Sequence, residues 1–281
     1  MISDTKVVAI GGGTGLSTML KGLKLHTHNI TAVVTVADDG GSSGILRSDL
    51  GMLAPGDVRN CVSALAEVDP VMGELLNFRF KDGSLKGHSL GNLFLAALNE
   101  TSSSFDEAVK KFSHLAGVVG TVYPVTNESV TLSALLEDGR LIEGESHIGV
   151  HHDGPKNGIV KLMVNPEKPK AVDGVIKALE KADIIVLGPG SLYTSIIPNL
   201  LVDGVVDAIK KSNAVKIYVC NIMSQAGETE NYTVSDHLAA IERHSYEGIA
   251  DIVIANNAII PESLRTVSYT HLRAHETLAN L

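Results

Sequence analysis

A glycine-rich loop between a short apolar strand and a helix constrains the fold of this chain more than any other feature. Residues 6–10 are a β-branched run, and apolar residues from 16 to 23 recur at the spacing of a helix face. The loop between them, residues 11–17, reads GGGTGLS. Because glycine has no Cβ, such a backbone can turn tightly and approach an oxyanion, and the following helix presents its positive end to that anion. Leu16 stands where the dinucleotide pattern GxGxxG needs its third glycine. The loop therefore predicts a phosphate site for a nucleotide-type ligand, with a purely structural turn as the alternative.

A second strand followed by an acidic loop completes a βαβ unit. Residues 30–36 are rich in Val and Thr, and they run into Asp38, Asp39 and the glycine and serine residues 40–44. A dinucleotide fold places its ribose-binding carboxylate at this point. The same carboxylates suit a divalent metal beside phosphates, since hard cations favour oxygen ligands. Asp38 and Asp39 are therefore candidate ligand-binding or Mg²⁺-binding residues, with a simple turn as the third interpretation.

The rest of the chain continues the alternation of strands and helices, with two interruptions. Residues 57–98 have a helical pattern, and the next helix is predicted to start with a capping box at Ser104. Residues 130–136 and 141–148, joined by an Asp-Gly turn, predict an antiparallel hairpin. Further strands are predicted at residues 183–187, 215–219 and 252–255. The chain is therefore predicted to be an α/β protein with a doubly wound, Rossmann-like, mostly parallel sheet, a helical insertion and a β-hairpin.

Four polar loops follow predicted strands, which is where open parallel sheets bind their ligands. Besides the two loops above, they are the Gly-Pro-Gly-Ser loop at residues 188–191 and residues 221–230. His88, Ser89 and Asn92 start a predicted helix, where they could face the cleft or cap the helix. In the helical region, Asn60 or Arg59 could reach a ligand from a polar stretch that begins at Asp57. The candidate ligand-binding residues are Gly12, Gly13, Thr14, Gly15, Ser17, Asp38, Asp39, Gly40, Ser42, Ser43, Asn60, His88, Ser89, Asn92, Gly188, Pro189, Gly190, Ser191 and Asn221.

Composition excludes several classes of protein. The 281 residues carry a formal net charge of −9, unlike a nucleic-acid-binding surface with its clustered Lys and Arg. No apolar run reaches the roughly 18 residues that cross a bilayer, and the N-terminus has no signal-peptide pattern, so we expect a soluble cytoplasmic protein. Cys61 and Cys220 belong to no CxxC pattern and predict neither a disulfide nor a zinc site.

Five ordered motifs resemble the bacterial gluconeogenesis factor family, the YvcK-like proteins. They are GGGTGLS at residues 11–17, TVADDGGSSG at 35–44, GDVRNC at 56–61, GHSLGNL at 87–93 and LGPGSLYTS at 187–195. The resemblance extends over roughly residues 6–261, and it links the chain to the 2-phospho-L-lactate transferases, which share the fold.

The resemblance implies a regulatory protein rather than an enzyme. Its ligand would be a nucleotide sugar such as UDP-N-acetylglucosamine, and it would be needed for growth on gluconeogenic carbon and for normal cell shape. No cofactor would be required. We expect a protein partner, which the sequence does not identify. A homo-oligomer is compatible with this interpretation.

Two alternatives stay open. In the related transferases the acidic loop that matches Asp38 and Asp39 lies at the reaction centre with Mg²⁺. The first alternative is therefore a Mg²⁺-dependent enzyme, similar to 2-phospho-L-lactate transferase, that acts on a nucleotide diphosphate-linked substrate. The second is an NAD-binding oxidoreductase, although no catalytic His, Lys or Tyr constellation supports it. NAD could also occupy the cleft as a ligand mimic, since its diphosphate resembles that of a UDP-sugar.

The C-terminal stretch departs from the family pattern. Residues 266–281 have neither helical nor strand periodicity and are predicted to be a non-native tail. We therefore expect a single Rossmann-like domain over residues 1–265, shortened at its C-terminus relative to the family. The sugar end of the ligand pocket would be the part most affected.

Overall fold

Strands and helices alternate along the part of the chain that the computed structural model describes, which is residues 2–67, 69–149 and 158–258. The strands are β1 (Val7–Gly11), β2 (Ile30–Val34), β3 (Thr121–Pro124), β4 (Thr131–Leu136), β5 (Leu141–Glu143), β6 (Ile159–Asn165), β7 (Ile184–Leu187), β8 (Val215–Val219) and β9 (Ile252–Ile254). The helices are α1 (Gly13–Leu23), α2 (Gly41–Leu50), α3 (Gly56–Leu65), α4 (Pro70–Asn77), α5 (Leu90–Glu100), α6 (Phe105–Leu115), α7 (Glu145–Ile148), α8 (Asp173–Glu180), α9 (Ile197–Leu200), α10 (Val205–Lys211) and α11 (Val234–Arg243). One turn of π-helix, Leu192–Ile196, leads into α9.

Six parallel strands form the main sheet, in the order β3, β2, β1, β7, β8, β9. From β1 the chain moves outward through β2 to β3. It then returns to the other side of β1 and continues through β7 and β8 to β9. The direction of winding therefore reverses between β1 and β7, and such a reversal opens a crevice for a ligand at the carboxyl ends of the two strands. The predicted fold class is confirmed.

The main sheet is buried on both of its faces at its centre. All five residues of β1 are buried, as expected for a parallel strand with helices on both sides. On α1, Leu16 and Leu20 are fully buried and belong to the same hydrophobic core as β1. Burying one such side chain stabilises a fold by about 1.5 to 3 kcal/mol. The leucine spacing that predicted this helix face therefore also holds α1 against the sheet.

A smaller antiparallel sheet, in the order β5, β4, β6, contains the predicted hairpin. The second arm of that hairpin is shorter than predicted, because β5 ends at Glu143 rather than continuing to Ile148. The reversal occurs at Gly144, whose φ of +93° is a conformation that favours glycine. The carboxylate of Asp39 then accepts hydrogen bonds from the next two backbone N–H groups, and the chain turns into α7 instead of extending the strand.

The predicted helical region, residues 57–98, consists of three helices, α3, α4 and α5, rather than continuous helix. Residues 78–89 interrupt it, and Arg79 and Ser89 form an antiparallel bridge there. The predicted capping box at Ser104 is half formed. Its hydroxyl accepts from the Glu107 N–H, but the Glu107 carboxylate binds Ser103 instead of the Ser104 N–H.

Two strands were not predicted, and one prediction lies outside the described residues. β3 joins the main sheet beside β2, and β6 joins the small sheet beside β4. The acidic loop is shorter than its sequence indicated, because α2 already begins at Gly41. Residues 266–281, the predicted non-native tail, are not among the described residues.

Candidate functional site

The predicted phosphate loops lie together on the carboxyl-terminal side of the main sheet. β1, β2, β7 and β8 are parallel, so their carboxyl ends lie on the same side. Residues 11–15, 35–40, 188–191 and 221–225 follow those four ends. The first and third of these loops follow neighbouring strands on the two sides of the winding reversal. The carboxyl-terminal side of these four strands is therefore the candidate site.

The two glycine loops pack against each other. A Cβ added to Gly15 would lie 2.7 Å from the carbonyl oxygen of Pro189, closer than real Cβ contacts allow. A Cβ on Gly12 would lie 2.6 Å from a carboxylate oxygen of Asp57. Gly13 has a φ of +65°. The glycines thus let the start of α1 approach the second loop closely, and the two loops form one wall of the site.

The hydroxyls of the first loop differ in their availability. Thr14 is exposed at the start of α1. Ser17 is buried, and its hydroxyl donates to the Thr14 carbonyl oxygen at 3.0 Å. Thr14 is therefore the hydroxyl of this loop that is free to face a ligand.

The loop at residues 188–191 is held by side chains that follow β8. Asn221 forms two hydrogen bonds with the backbone of Gly190. The Ser191 hydroxyl donates to Gln225 Oε1 at 2.7 Å, and Gln225 Nε2 donates to Glu228 at 2.8 Å. Asn221 and Ser191 therefore position this loop through contacts within the protein.

The two aspartates of the acidic loop have different surroundings. Asp38 Oδ1 accepts from the Gly40 N–H at 2.9 Å. Asp39 accepts from the N–H groups of Glu145 and Ser146, at 3.0 and 2.8 Å, across 106 and 107 residues of chain. Within residues 2–67, 69–149 and 158–258, no group of three His, Cys, Asp or Glu side chains is placed to hold a metal ion. The Mg²⁺ site predicted at Asp38 and Asp39 therefore has no preformed ligand set there, and it stays a prediction.

Four buried polar side chains and the exposed Asn77 form a network between α2 and α5. The Ser42 hydroxyl lies 2.9 Å from His88 Nδ1, and Asn92 Nδ2 donates to it at 3.1 Å. Arg59 donates from Nε to Asn92 Oδ1 at 3.3 Å and from an Nη atom to Asn77 Oδ1 at 2.9 Å. The network satisfies these groups inside the protein. Buried polar groups in proteins are nearly always hydrogen-bonded in this way.

The remaining predicted residues lie around this network. Ser89 caps α5 by accepting from the Asn92 N–H, which is the capping alternative. Ser43 is buried, and a Cβ on Gly56 would lie 2.6 Å from its hydroxyl oxygen. Asn60 is partly buried on α3.

Three acidic residues of the site were missed by the sequence reasoning. Burial of the Asp57 carboxyl group is the main cause that raises its pKa to about 6, and the nearby negative charge of Asp38 is the second cause. The hydrogen bond that the carboxylate accepts from the Gly13 N–H acts in the opposite direction and lowers the pKa. Burial and four neighbouring carboxylates, Asp38 first, raise the pKa of Glu145 to about 8. Burial raises the pKa of Glu228 to about 7.

These acids bring the loops together. Glu228 accepts from the Tyr193 N–H at 3.1 Å and from the Thr194 hydroxyl at 3.2 Å, so it joins the segment after the 188–191 loop. The charge of Glu228 also acts on Glu145. The motif at residues 56–61 includes Asp57 and the polar loop at residues 221–230 includes Glu228, but neither is among the predicted ligand-binding residues. Glu145 lies in none of the five motifs or four polar loops.

The comparisons with known proteins agree with this architecture. The family model described as 2-phospho-L-lactate transferase CofD matches residues 7–277. The gluconeogenesis factor of Halalkalibacterium halodurans is 47% identical over 262 residues, which are 92% of this chain and 80% of that protein. A crystal structure of a UPF0052 family protein from Bacillus halodurans is 45% identical, with a TM-score of 0.90 over 95% of this chain and 85% of that one.

A relative from Clostridium acetobutylicum is 52% identical over 265 residues. The match covers 94% of this chain but 59% of that protein. This chain therefore spans less than two thirds of that relative's length. Within the described part of the chain, no helix combines the length and the apolar character that crossing a membrane requires.

Proposed function

Because this chain belongs to the CofD family and is 47% and 45% identical to two gluconeogenesis factors, we propose that it acts as a regulator that binds a nucleotide sugar. The proposed ligand is a UDP-sugar such as UDP-N-acetylglucosamine. The proposed role is control of gluconeogenic growth and of cell shape in the cytoplasm, through a protein partner. Since the chain spans 59% of one relative's length, the part of this proposal that its own residues can carry is the binding of the nucleotide sugar.

The observation that carries this proposal is the pair of glycine loops at the winding reversal. The start of a helix presents unpaired N–H groups and a positive dipole end, both of which favour an anion such as a diphosphate. The start of α1 lies against the loop at residues 188–191, with the Pro189 carbonyl oxygen beside Gly15. Thr14 adds an exposed hydroxyl at the same helix start.

The protonation of the site also supports an anionic ligand. Five carboxyl groups in a small space would repel a diphosphate if all were ionised. The pKa of Glu145 is about 8 and that of Glu228 about 7, so a large fraction of these two groups is neutral at pH 7. Because each retained proton removes one negative charge from the site, the cost of placing a diphosphate there falls.

Ligand binding and turnover can be separated in one experiment. We expect UDP-N-acetylglucosamine to raise the Tm, because a ligand that binds only the native state stabilises it. We also expect chromatography to recover the ligand unchanged, because a regulator binds it without turnover. NAD and GDP, each with and without Mg²⁺, serve as comparison ligands. If no UDP-sugar shifts the Tm, the proposal is wrong.

A matched pair of variants on α1 locates the binding. Thr14→Val removes the exposed hydroxyl at the helix start, and Thr18→Val removes a similar exposed hydroxyl one turn later. We expect the first change to weaken binding by about threefold to tenfold, the value of one hydrogen bond, and the second to leave affinity unchanged. Equal effects of the two variants would place the ligand elsewhere.

A second candidate function is Mg²⁺-dependent group transfer, which the description of the family model suggests. The crowding of Asp38, Asp57 and Glu145 favours it, since a cation would relieve the repulsion among these groups. This candidate predicts product formation from a nucleotide diphosphate-linked phospholactate, with loss of turnover in Asp38→Asn. Absence of product with Mg²⁺ present would exclude it.

A further inference from the structure

The outer edge of β3 is open, on the side of the molecule that the candidate site does not use. β3 ends the main sheet, with β2 as its neighbour, and no strand among the described residues pairs with its other edge. An open edge of a sheet presents unpaired backbone N–H and C=O groups, which can pair with a strand from another chain.

The hydrogen-bond pattern tells which backbone groups of β3 face outward. The N–H of Val125 donates to the Val34 carbonyl oxygen at 2.9 Å. Along a parallel strand the groups that face one neighbour alternate, so Tyr123 and Thr121 also face β2. The N–H and C=O of Val122 therefore point to the open edge. Pro124 has no N–H, so β3 offers no backbone donor to a partner strand at its C-terminal residue.

Two cavities flank this edge, one on each face of β3. Each has a volume of about 370 Å³, and both are lined by Gly120, Thr121 and Tyr123. The first lies towards α8, where a Cβ on Gly174 would come within 2.8 Å of the Tyr123 hydroxyl. The second lies towards α6, where it is lined by Ser113. A strand added to β3 would direct its alternate side chains to these two faces, since side chains alternate across a sheet.

Both cavities carry positive charge in a chain whose net charge is −9. Lys6, Lys177 and Lys181 line the first, together with His28, and Lys110 and His114 line the second. Neither lining includes an Asp or a Glu from the described part of the chain. Acidic side chains on both faces of an added strand would therefore meet complementary charge.

We propose that the open edge of β3 binds an extended, acidic segment of another protein as a seventh strand of the main sheet. Main-chain hydrogen bonds to Val122 supply part of the affinity, and the lysines of the two cavities select for Asp and Glu. A second copy of this chain is a poor occupant, because pairing two β3 edges would bring the same lysines together. The short edge, residues 120–123, sets the length of the paired segment at about four residues.

The test uses a random octapeptide display library on the full chain. We expect the enriched peptides to be rich in Asp and Glu. The best peptide is then synthesised in four forms: unchanged, with Gln and Asn in place of its acids, and with either of the two alternate sets of backbone amides N-methylated. The unchanged peptide should bind best, and the neutral form and one of the two N-methylated forms, the one whose methylated amides face β3, should bind at least about tenfold more weakly.

A double variant tests the charges on the protein. Lys177→Glu with Lys110→Glu places one reversal in each cavity, and both residues are outside the candidate site. We expect affinity for the acidic peptide to fall by about tenfold or more. The matched control, Lys81→Glu with Lys86→Glu, changes two exposed lysines that line neither cavity and should leave affinity unchanged.

Several outcomes would overturn the proposal. If binding survived N-methylation of both alternate sets of amides, each tested in its own peptide, the peptide would adsorb to charge without strand pairing. Selection of neutral or basic peptides, or of none, would exclude an acidic partner. Self-association of the chain that competes with the peptide would make a second copy the occupant. None of these outcomes depends on UDP-sugar binding.

Discussion

Asn221 binds the backbone of Gly190 at both of its amide atoms. Its Oδ1 accepts from the Gly190 N–H at 3.1 Å, and its Nδ2 donates to the Gly190 carbonyl oxygen at 2.6 Å. A side-chain amide carries a donor and an acceptor side by side, as a backbone strand does. The end of β8 thereby fixes the position of the loop that follows β7.

Replacing this side chain should destabilise both the fold and the ligand site. Asn221→Ala removes two partly buried hydrogen bonds, and we expect the free energy of unfolding to fall by about 1 to 3 kcal/mol. UDP-sugar affinity should fall as well, because the loop loses its fixed position. Urea unfolding followed by circular dichroism measures the first effect, and calorimetry measures the second.

The control for this change is Asn213→Ala. Asn213 is exposed and precedes β8, whereas Asn221 follows it. We expect the control to unfold like the wild type. An Asn221→Ala protein with unchanged stability and affinity would show that the two hydrogen bonds contribute nothing.

Glu145 makes the stability of the chain depend on pH near neutrality. Its pKa rises from 4.5 to about 8 because the group is largely buried among Asp38 and other carboxylates. Between these two values the unfolded chain releases a proton that the folded chain retains, so stability falls as pH rises through this window. The raised pKa values of Asp57 and Glu228 also make stability fall as pH rises, but only up to about pH 6 for Asp57 and about pH 7 for Glu228.

Glu145→Gln should therefore flatten the decline in stability between pH 7 and pH 8, since glutamine has no proton to lose. The measurement is the urea midpoint at several pH values from 5 to 9. Glu143→Gln, an exposed neighbour, is the control and should keep the wild-type slope. An unchanged slope in Glu145→Gln would contradict the raised pKa.

The sequence patterns that predicted structure well were local ones. The strand, glycine loop and helix at residues 7–23 follow one another directly, and each pattern depends only on near neighbours. β3 was missed because it has four residues, includes Pro124 and lies at an edge. Such a segment shows neither a long apolar run nor a clear alternation.

The acidic residues of the site could not be found from local patterns. Asp39 was selected for the chemistry of its carboxylate, but its partners lie more than 100 residues away, at the start of α7. Glu145 reaches the site only because the small sheet delivers α7 there. Glu228 joins it through contacts with the segment after β7. The chemistry of single residues was thus visible, while their proximity depends on the tertiary fold.

Asp38 should control the protonation of Asp57. After burial, the charge of Asp38 is the next largest cause of the raised pKa of Asp57, about 6. Asp38→Asn removes that charge, so we expect the pKa of Asp57 to move down from about 6 towards its ordinary value. Carboxyl ¹³C chemical shifts measured against pH give the value directly.

A substitution of similar chemistry elsewhere separates this local effect from a change in net charge. Asp49→Asn alters an exposed residue at the end of α2, and the pKa of Asp57 should stay near 6 in that protein. If the two variants moved Asp57 equally, the proximity of Asp38 would not be the cause.

The Ser42 hydroxyl should contribute strongly to stability through the polar network between α2 and α5. Its oxygen lies 2.9 Å from His88 Nδ1 and accepts from Asn92 Nδ2 at 3.1 Å, and both neighbours are buried. Ser42→Ala leaves two buried polar groups without that partner, and a loss of about 2 kcal/mol in the free energy of unfolding is expected. Ser48→Ala, on the exposed side of the same helix, should cost much less. If Ser42→Ala instead kept full stability and only weakened UDP-sugar binding, His88 and Asn92 would be ligand contacts, as their sequence pattern first allowed.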